Sequence, residues 1–185
     1  MNIEDTEIKE VKLFRPSLHE DIRGFFYEAY REDILKKNGI NFSMVQKNVS
    51  FSKKKGTIRG LHFQIPPFHQ TKIVNVNRGS ILDIALDIRK DSPSFLKHVK
   101  RILTAEDKTS ILIPKGFAHG VLVLKDHTEI TYLVDNLYSL ECDKGIKWND
   151  PSLNIDWNFN GETIISNKDS NLPGISEILL DYIWD

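Results

Sequence analysis

GTIRGLHFQIPPFHQTK, residues 56–72, decides the fold reading. Apolar and polar residues alternate through Ile58–Gln64, and Gly56 and the Pro66-Pro67 pair punctuate its ends, so the stretch reads as a half-buried strand. Its polar members are Arg59, His62 and Lys72. A flat strand places residues three apart on opposite faces. If Arg59 and His62 serve one site, Gly60 between them must mark a bulge or bend that re-aims one of them.

Outward from this stretch the same pattern continues. Strands are expected at Met44–Phe51, Lys72–Asn77, Ser80–Ile88, Lys97–Leu103, Ser110–Pro114, Val121–Leu124 and Thr128–Val134, separated by Lys54–Gly56, Arg78-Gly79, Asp91–Pro93, Glu106-Asp107 and Lys125-Asp126 as turns. Glu10–Phe14 and the aromatic Gly24–Tyr30 read as two earlier strands, and Glu32–Lys37 as a helix stopped at Asn38-Gly39. Many short strands with closely spaced turns indicate an all-β sandwich or barrel, not βαβ units. After Gly145 the chain turns irregular, and ISEILLDY (Ile175–Tyr182) carries Ile175, Ile178 and Leu179 on one helical face. The expectation is one domain over residues 1–185, its tail after about residue 174 lying on the barrel or on a partner.

At 185 residues the chain is long enough for one full core and short for two. A net charge of -1 offers no basic field for nucleic acid. Lys53–Lys55 is the one basic run and reads as a solvated hairpin tip. Cys142 is the only cysteine, which excludes an internal disulfide. The opening MNIEDTEIKE lacks an apolar signal core and no run reaches the roughly 20 apolar residues of a membrane helix. No membrane association and a cytoplasmic location are the expectation.

IPKGFAHG, residues 113–120, supplies a second histidine, His119. Together with the many short strands, its Pro-x-Gly-x-x-His pattern resembles a motif of the cupin superfamily, a double-sheet jelly roll. In many cupins that histidine is a metal ligand beside a His-x-His pair. Here His62 is followed two residues later by Gln64, and His69 lies beyond two prolines. A metal needs at least three convergent ligands, so the missing histidine weighs against a metal site. His119 packed in the core with a backbone partner remains a second reading. The third is a metal-free basic pocket with a neutral histidine as base, suited to a phosphorylated ligand and to proton transfer.

Longer elements then carry a specific resemblance. RGFFYE (Arg23–Glu28), QKNVSFSKKKGTIRGLHFQIPPFHQTKIV (Gln46–Val74), RGSILDIALDIRKDSPSF (Arg78–Phe95), IPKGFAHGVLVL (Ile113–Leu124), KGIKWNDP (Lys144–Pro151) and SNKD (Ser166–Asp169) resemble, in order and spacing, the dTDP-4-dehydrorhamnose 3,5-epimerase family. The resemblance covers about residues 8–173. It implies a metal-free cupin jelly roll with a few short peripheral helices, no cofactor, and a homodimer whose N-terminal strands extend the partner's sheet.

It also implies chemistry: inversion of carbons 3 and 5 of a dTDP-linked 4-keto-6-deoxy sugar, giving dTDP-4-dehydro-L-rhamnose from dTDP-4-dehydro-6-deoxy-D-glucose. By matching motif, His62 would be the base, Asp169 its orienting carboxylate, Tyr132 the acid on the opposite face, and Lys72 the stabiliser of the enolate. Arg59 and His119 would face the diphosphate or sugar, with Arg23, Phe26 and Glu28 at the nucleotide end. Gln46, Asn48, Tyr138 and Lys168 would complete the pocket. Glu141 and Asp143 receive no role. An epimerase inverting one carbon, or acting on another nucleotide sugar, would carry the same motifs, and a sugar-nucleotide-binding cupin without turnover is a third possibility. A metal-dependent cupin is disfavoured by the absent His-x-His.

Overall fold

The computed structural model describes residues 1–178, 182 and 184. In chain order the strands are β1 (Asn2–Asp5), β2 (Lys12–Arg15), β3 (His19–Asp21), β4 (Gly24–Phe26), β5 (Gln46–Ser52), β6 (Ile58–Gln64) and β7 (Lys72–Arg78). They continue as β8 (Ser80–Asp87), β9 (His98–Thr104), β10 (Ser110–Ile113), β11 (Phe117–Val123), β12 (Thr128–Val134) and β13 (Asp143–Gly145). The helices are short: α1 (Glu32–Lys37), between β4 and β5, and α2 (Asn167–Ser170), after β13. Two antiparallel sheets face each other, β1-β2-β10-β7-β12-β5 and β13-β6-β11-β8-β9, while β3 and β4 form a separate hairpin. This is the all-β, cupin-type jelly roll expected from the sequence.

Period-2 alternation sorts the side chains into three apolar layers. Ile81 and Ala85 of β8 meet Val74, Ile111 and Ile130 of the opposite sheet in the layer between the sheets. The other face of β8, Leu82, Ile84 and Leu86, packs under the C-terminal segment with Ile146, Leu153 and Trp157. On the far side of the six-stranded sheet, Leu35 of α1 and Phe42 cover Ile73, Leu112 and Leu133. Because β8 is buried on both faces, its sequence is apolar almost throughout and its one mid-strand charge, Asp83, is conspicuous.

Several elements differ from the sequence reading. Asn2–Asp5 pairs with Lys12–Arg15 as an edge strand, although NIED carries no apolar alternation to announce it. β4 stops at Phe26 because only the three residues of β3 pair with it. β11 begins at Phe117, directly after the Lys115-Gly116 turn, since the whole of Phe117–Val123 is buried against β8. The helix expected over ISEILLDY is a 3₁₀ turn at Ile175–Glu177, and its continuation through Leu179, Leu180 and Asp181 lies outside the described residues. Ile175, Ile178 and Trp184 pack on the layer beneath the C-terminal segment.

The bulge expected at Gly60 is present. His62 lies opposite His119 and Arg59 opposite Val121, so β6 spends one more residue than β11 over this interval. Gly60 takes φ +116°, and a Cβ there would stand 2.6 Å from the His119 carbonyl oxygen. Only glycine combines that dihedral with that approach. Gly60→Ala is expected to cost about 3 kcal/mol in urea-induced unfolding, from backbone strain and the displaced His119 carbonyl. A loss below about 0.5 kcal/mol, the range of neutral surface changes, would show that the bulge is not demanding.

Candidate active site

Toward one end the layer between the sheets opens into a cavity of about 640 Å³. The bulge at Gly60 turns both Arg59 and His62 into it, and alternation along β11 adds His119 on the same wall. The six-stranded sheet supplies the facing wall with Asn48 and Ser50 from β5, Lys72 from β7 and Tyr132 from β12. Residues 164–166 and α2, with Lys168 and Asp169, close the side. A smaller recess of about 160 Å³ shares Asn48, Lys72 and Tyr132 and adds Tyr138 and Asp143.

His62 and Asp169, more than a hundred residues apart in sequence, are in contact. His62 Nε2 donates to Asp169 Oδ1 at 3.1 Å, and the other carboxylate oxygen accepts from the Gly60 backbone N–H at 3.0 Å. Burial alone would raise the Asp169 carboxyl, but the bonds from His62, Gly60 and Ser166 outweigh it and hold it below the usual carboxylate range. With Nε2 engaged, Nδ1 is the His62 nitrogen without a protein partner and carries the lone pair. Ser166 caps α2 by accepting from the Asp169 N–H at 3.1 Å, which fixes the turn that presents the carboxylate.

A second histidine–carboxylate pair lies behind the first. His119 Nε2 is 2.8 Å from Asp83 Oδ2, and both side chains are almost fully buried. Asp83 was missed in the sequence, yet a charge inside an otherwise apolar strand must find a partner. His119 also meets the Tyr132 ring edge-on at 6.1 Å. The Tyr132 hydroxyl lies 3.4 Å from Ser50 Oγ, and burial pushes its phenol above the ordinary value. Desolvation pulls Lys72 down to about 8, against the opposing pull of Asp143 and Asp83.

Gln64 occupies the place where a His-x-His cupin would have its second histidine. Here it is buried and donates to the Phe68 and Leu137 carbonyls while accepting from the Ser139 N–H at 2.7 Å, so it shapes the loop that carries Tyr138. Gln46 helps: its Oε1 accepts from the Tyr138 N–H and its Nε2 donates to Asn48 at 2.7 Å. Among the described residues no three His, Cys, Asp or Glu side chains converge as a metal set. No helix there is long and apolar enough to cross a membrane.

The cavity thus gathers His62, Asp169, Tyr132, Lys72, Arg59, His119, Asn48 and Lys168, with Gln46 and Tyr138 beside it. Arg23, Phe26 and Glu28 do not line it. Arg23 sits on the β3–β4 turn in a bidentate pair with Asp21, Phe26 is 67% exposed, and Glu28 pairs with Arg31 at 3.3 Å.

The model of the family described as dTDP-4-dehydrorhamnose 3,5-epimerase matches residues 5–177. The chain belongs to that family. A curated dTDP-4-dehydrorhamnose 3,5-epimerase of Sinorhizobium fredii is 42% identical over 182 residues, covering 98% of this chain and 93% of its own. The crystal structure of the epimerase from Bacillus anthracis with TDP and PPi bound is 45% identical, with a TM-score of 0.91 over 94% of this chain and 99% of that one. The Legionella pneumophila epimerase in complex with dTDP-4-keto-L-rhamnose is 39% identical, with a TM-score of 0.91 over 96% of this chain and 94% of that one.

A lysine depressed to about 8 carries a cost. Its folded pKa lies below the usual value of 10.5, so the penalty of burying the ammonium is fully present below pH 8 and fades as the pH rises toward 10.5. Lys72→Met is therefore expected to raise Tm at pH 7, with the gain shrinking by pH 10. A Met variant less stable than the parent at pH 7 would contradict this.

Proposed function

We propose that this chain inverts carbons 3 and 5 of dTDP-4-dehydro-6-deoxy-D-glucose to give dTDP-4-dehydro-L-rhamnose, within dTDP-rhamnose biosynthesis. The observation that carries the reading is the opposition of a histidine–aspartate base and a tyrosine acid on facing sheets, with an ammonium beside the acid.

A hydrogen next to the C4 ketone is acidic because the electrons left behind delocalise onto the ketone oxygen. The His62 imidazole takes that proton while Asp169, in contact at Nε2, stabilises the imidazolium. The electron pair of the C–H bond becomes the C–C double bond of the enolate, and the C4 oxygen gains the negative charge. Lys72 neutralises that charge, an effect whose removal costs about 10²–10³ in rate at comparable sites. Tyr132 then returns a proton to the carbon from the opposite side, most clearly at carbon 5. Delivery from the face away from His62 is what changes the configuration.

Arg59 and His119 hold the diphosphate or sugar, and Gln46, Asn48, Tyr138 and Lys168 complete the pocket by hydrogen bonds. Arg23, Phe26 and Glu28 stand apart from this chain's own cavity. Their hairpin exposes Ile22, Phe25 and Phe26, and β5 exposes Val49 and Phe51. Such apolar surface suits a second copy. In a homodimer the hairpin would extend the nucleotide end of the partner's site. The whole chain then acts as one cupin domain. A cytoplasmic location belongs to the same proposal, and the buried free thiol of Cys142 fits a reducing compartment.

With purified protein in heavy water, both hydrogens flanking the ketone are expected to exchange for deuterium, read by NMR of the sugar. His62→Ala is expected to lower kcat/KM by about 10³. Exchange at neither position would sink the proposal, and a His62→Ala protein with undiminished turnover would remove the assigned base.

A further inference from the structure

Asp143 stands in β13 opposite Gln64, two positions along β6 from His62. Its side chain is 10% exposed, yet it carries two strong contacts to groups at the cavity mouth. Lys168 Nζ lies 2.5 Å from Oδ2, and the Tyr138 hydroxyl donates to the same oxygen at 3.0 Å. Lys168 comes from α2 and Tyr138 from the loop after β12, so one carboxylate joins three separate segments. Asp143 and Lys72 both line the smaller recess.

We propose that Asp143 is a positioning residue of this site: a single shielded carboxylate that ties Tyr138 to Lys168 across the cavity mouth and, from the recess it shares with Lys72, sets part of the negative field that this ammonium feels. This rests on the epimerase reading for its catalytic consequence, but not for the clamp itself.

Two carboxylates, Asp143 and Asp83, act on the Lys72 ammonium, and a third, Asp169, lines the same cavity. Asp83 on β8 is engaged by His119, and Asp169 on α2 by His62 and Gly60. Asp143 opposes the desolvation of Lys72 more strongly than Asp83 does. The cations facing this region are Arg59 on β6 and Lys168 on α2, and the remaining titratable groups are His62, His119, Tyr132 and Tyr138. Lys168 is held above its ordinary value first by the bond to Asp143. The perturbing influences on Lys72 are burial and through-space charge, with no hydrogen bond among them, so its charge state answers directly to the neighbouring carboxylates.

Asp143→Asn keeps shape and an acceptor while removing the charge, and Asp143→Glu restores the charge. Protein labelled at lysine Cε is titrated by ¹³C NMR, with the Lys72 signal assigned by its loss in Lys72→Met. Lys72 is expected to titrate at lower pH in Asp143→Asn than in the parent, and to move back upward in Asp143→Glu. In turnover, Asp143→Asn is expected to raise KM about tenfold as Tyr138 and Lys168 loosen, and to lose at least about threefold in kcat between pH 6.5 and 8.5 relative to the parent. A folded Asp143→Asn protein whose Lys72 titration is unchanged overturns the proposal, whatever its activity. A uniform loss of kcat with no change of pH profile would mark a merely structural role and also overturn it. Because the NMR titration needs no turnover, a parent protein that fails to epimerise the sugar would count against the epimerase reading alone.

Discussion

One carboxylate, Asp169, joins the two halves of this molecule's chemistry. One oxygen holds the His62 ring and the other holds the backbone N–H of Gly60, the residue whose bulge turns that ring inward. The contact spans more than a hundred residues, so the segment after β13 must be in place before β6 presents an oriented base. That segment is laid down by backbone pairing at residues 56–58 with Ile164, and Gly56 makes the approach possible: a Cβ there would meet the Glu162 carbonyl at 2.5 Å. Loss of either glycine would reach the base through the backbone, without touching a catalytic group.

The rest of the cavity follows from sheet geometry. Two facing sheets place inward residues on opposite walls, and a reaction that inverts carbon needs a base and an acid on opposite sides of the sugar. A jelly roll meets that need with ordinary alternation once the interior is left partly unfilled. The filled end, around Ile81, Ile111 and Ile130, stabilises the fold. The open end holds Asp83, Lys72, His119 and Tyr132, groups whose burial costs stability unless each is partnered. Asp83 is partnered by His119, and Lys72 is the least compensated member. Catalytic sites commonly trade stability for function in this way.

Much of this was legible in the sequence, for identifiable reasons. Ile58–Gln64 and Thr128–Val134 alternate cleanly and end at turn residues, and both strands have the expected limits. The odd spacing of Arg59 and His62 was enough to require a bulge at Gly60. The pairing of His62 with Asp169 carries no local signal and came only through family resemblance. Asp83 carried one, a charge within SILDIALD, that went unused. Gln64 was noticed for the histidine it replaces, whereas its work on the Tyr138 loop depends on contacts no pattern encodes. Arg23, Phe26 and Glu28 are placed at the nucleotide end by motif alone; Arg23 and Phe26 stand on the β3–β4 hairpin and Glu28 just beyond it, apart from this chain's own cavity.

His62 and Tyr132 stand on opposite walls, so proton removal and proton return are separable. Tyr132→Phe in heavy water tests this separation most directly, with exchange and configuration followed together by NMR at carbon 5. Deuterium is expected still to enter, through His62, while the configuration is retained and epimer forms at least about 10²-fold more slowly. Epimer formation at the parent rate would contradict it, as would complete loss of exchange in a correctly folded variant.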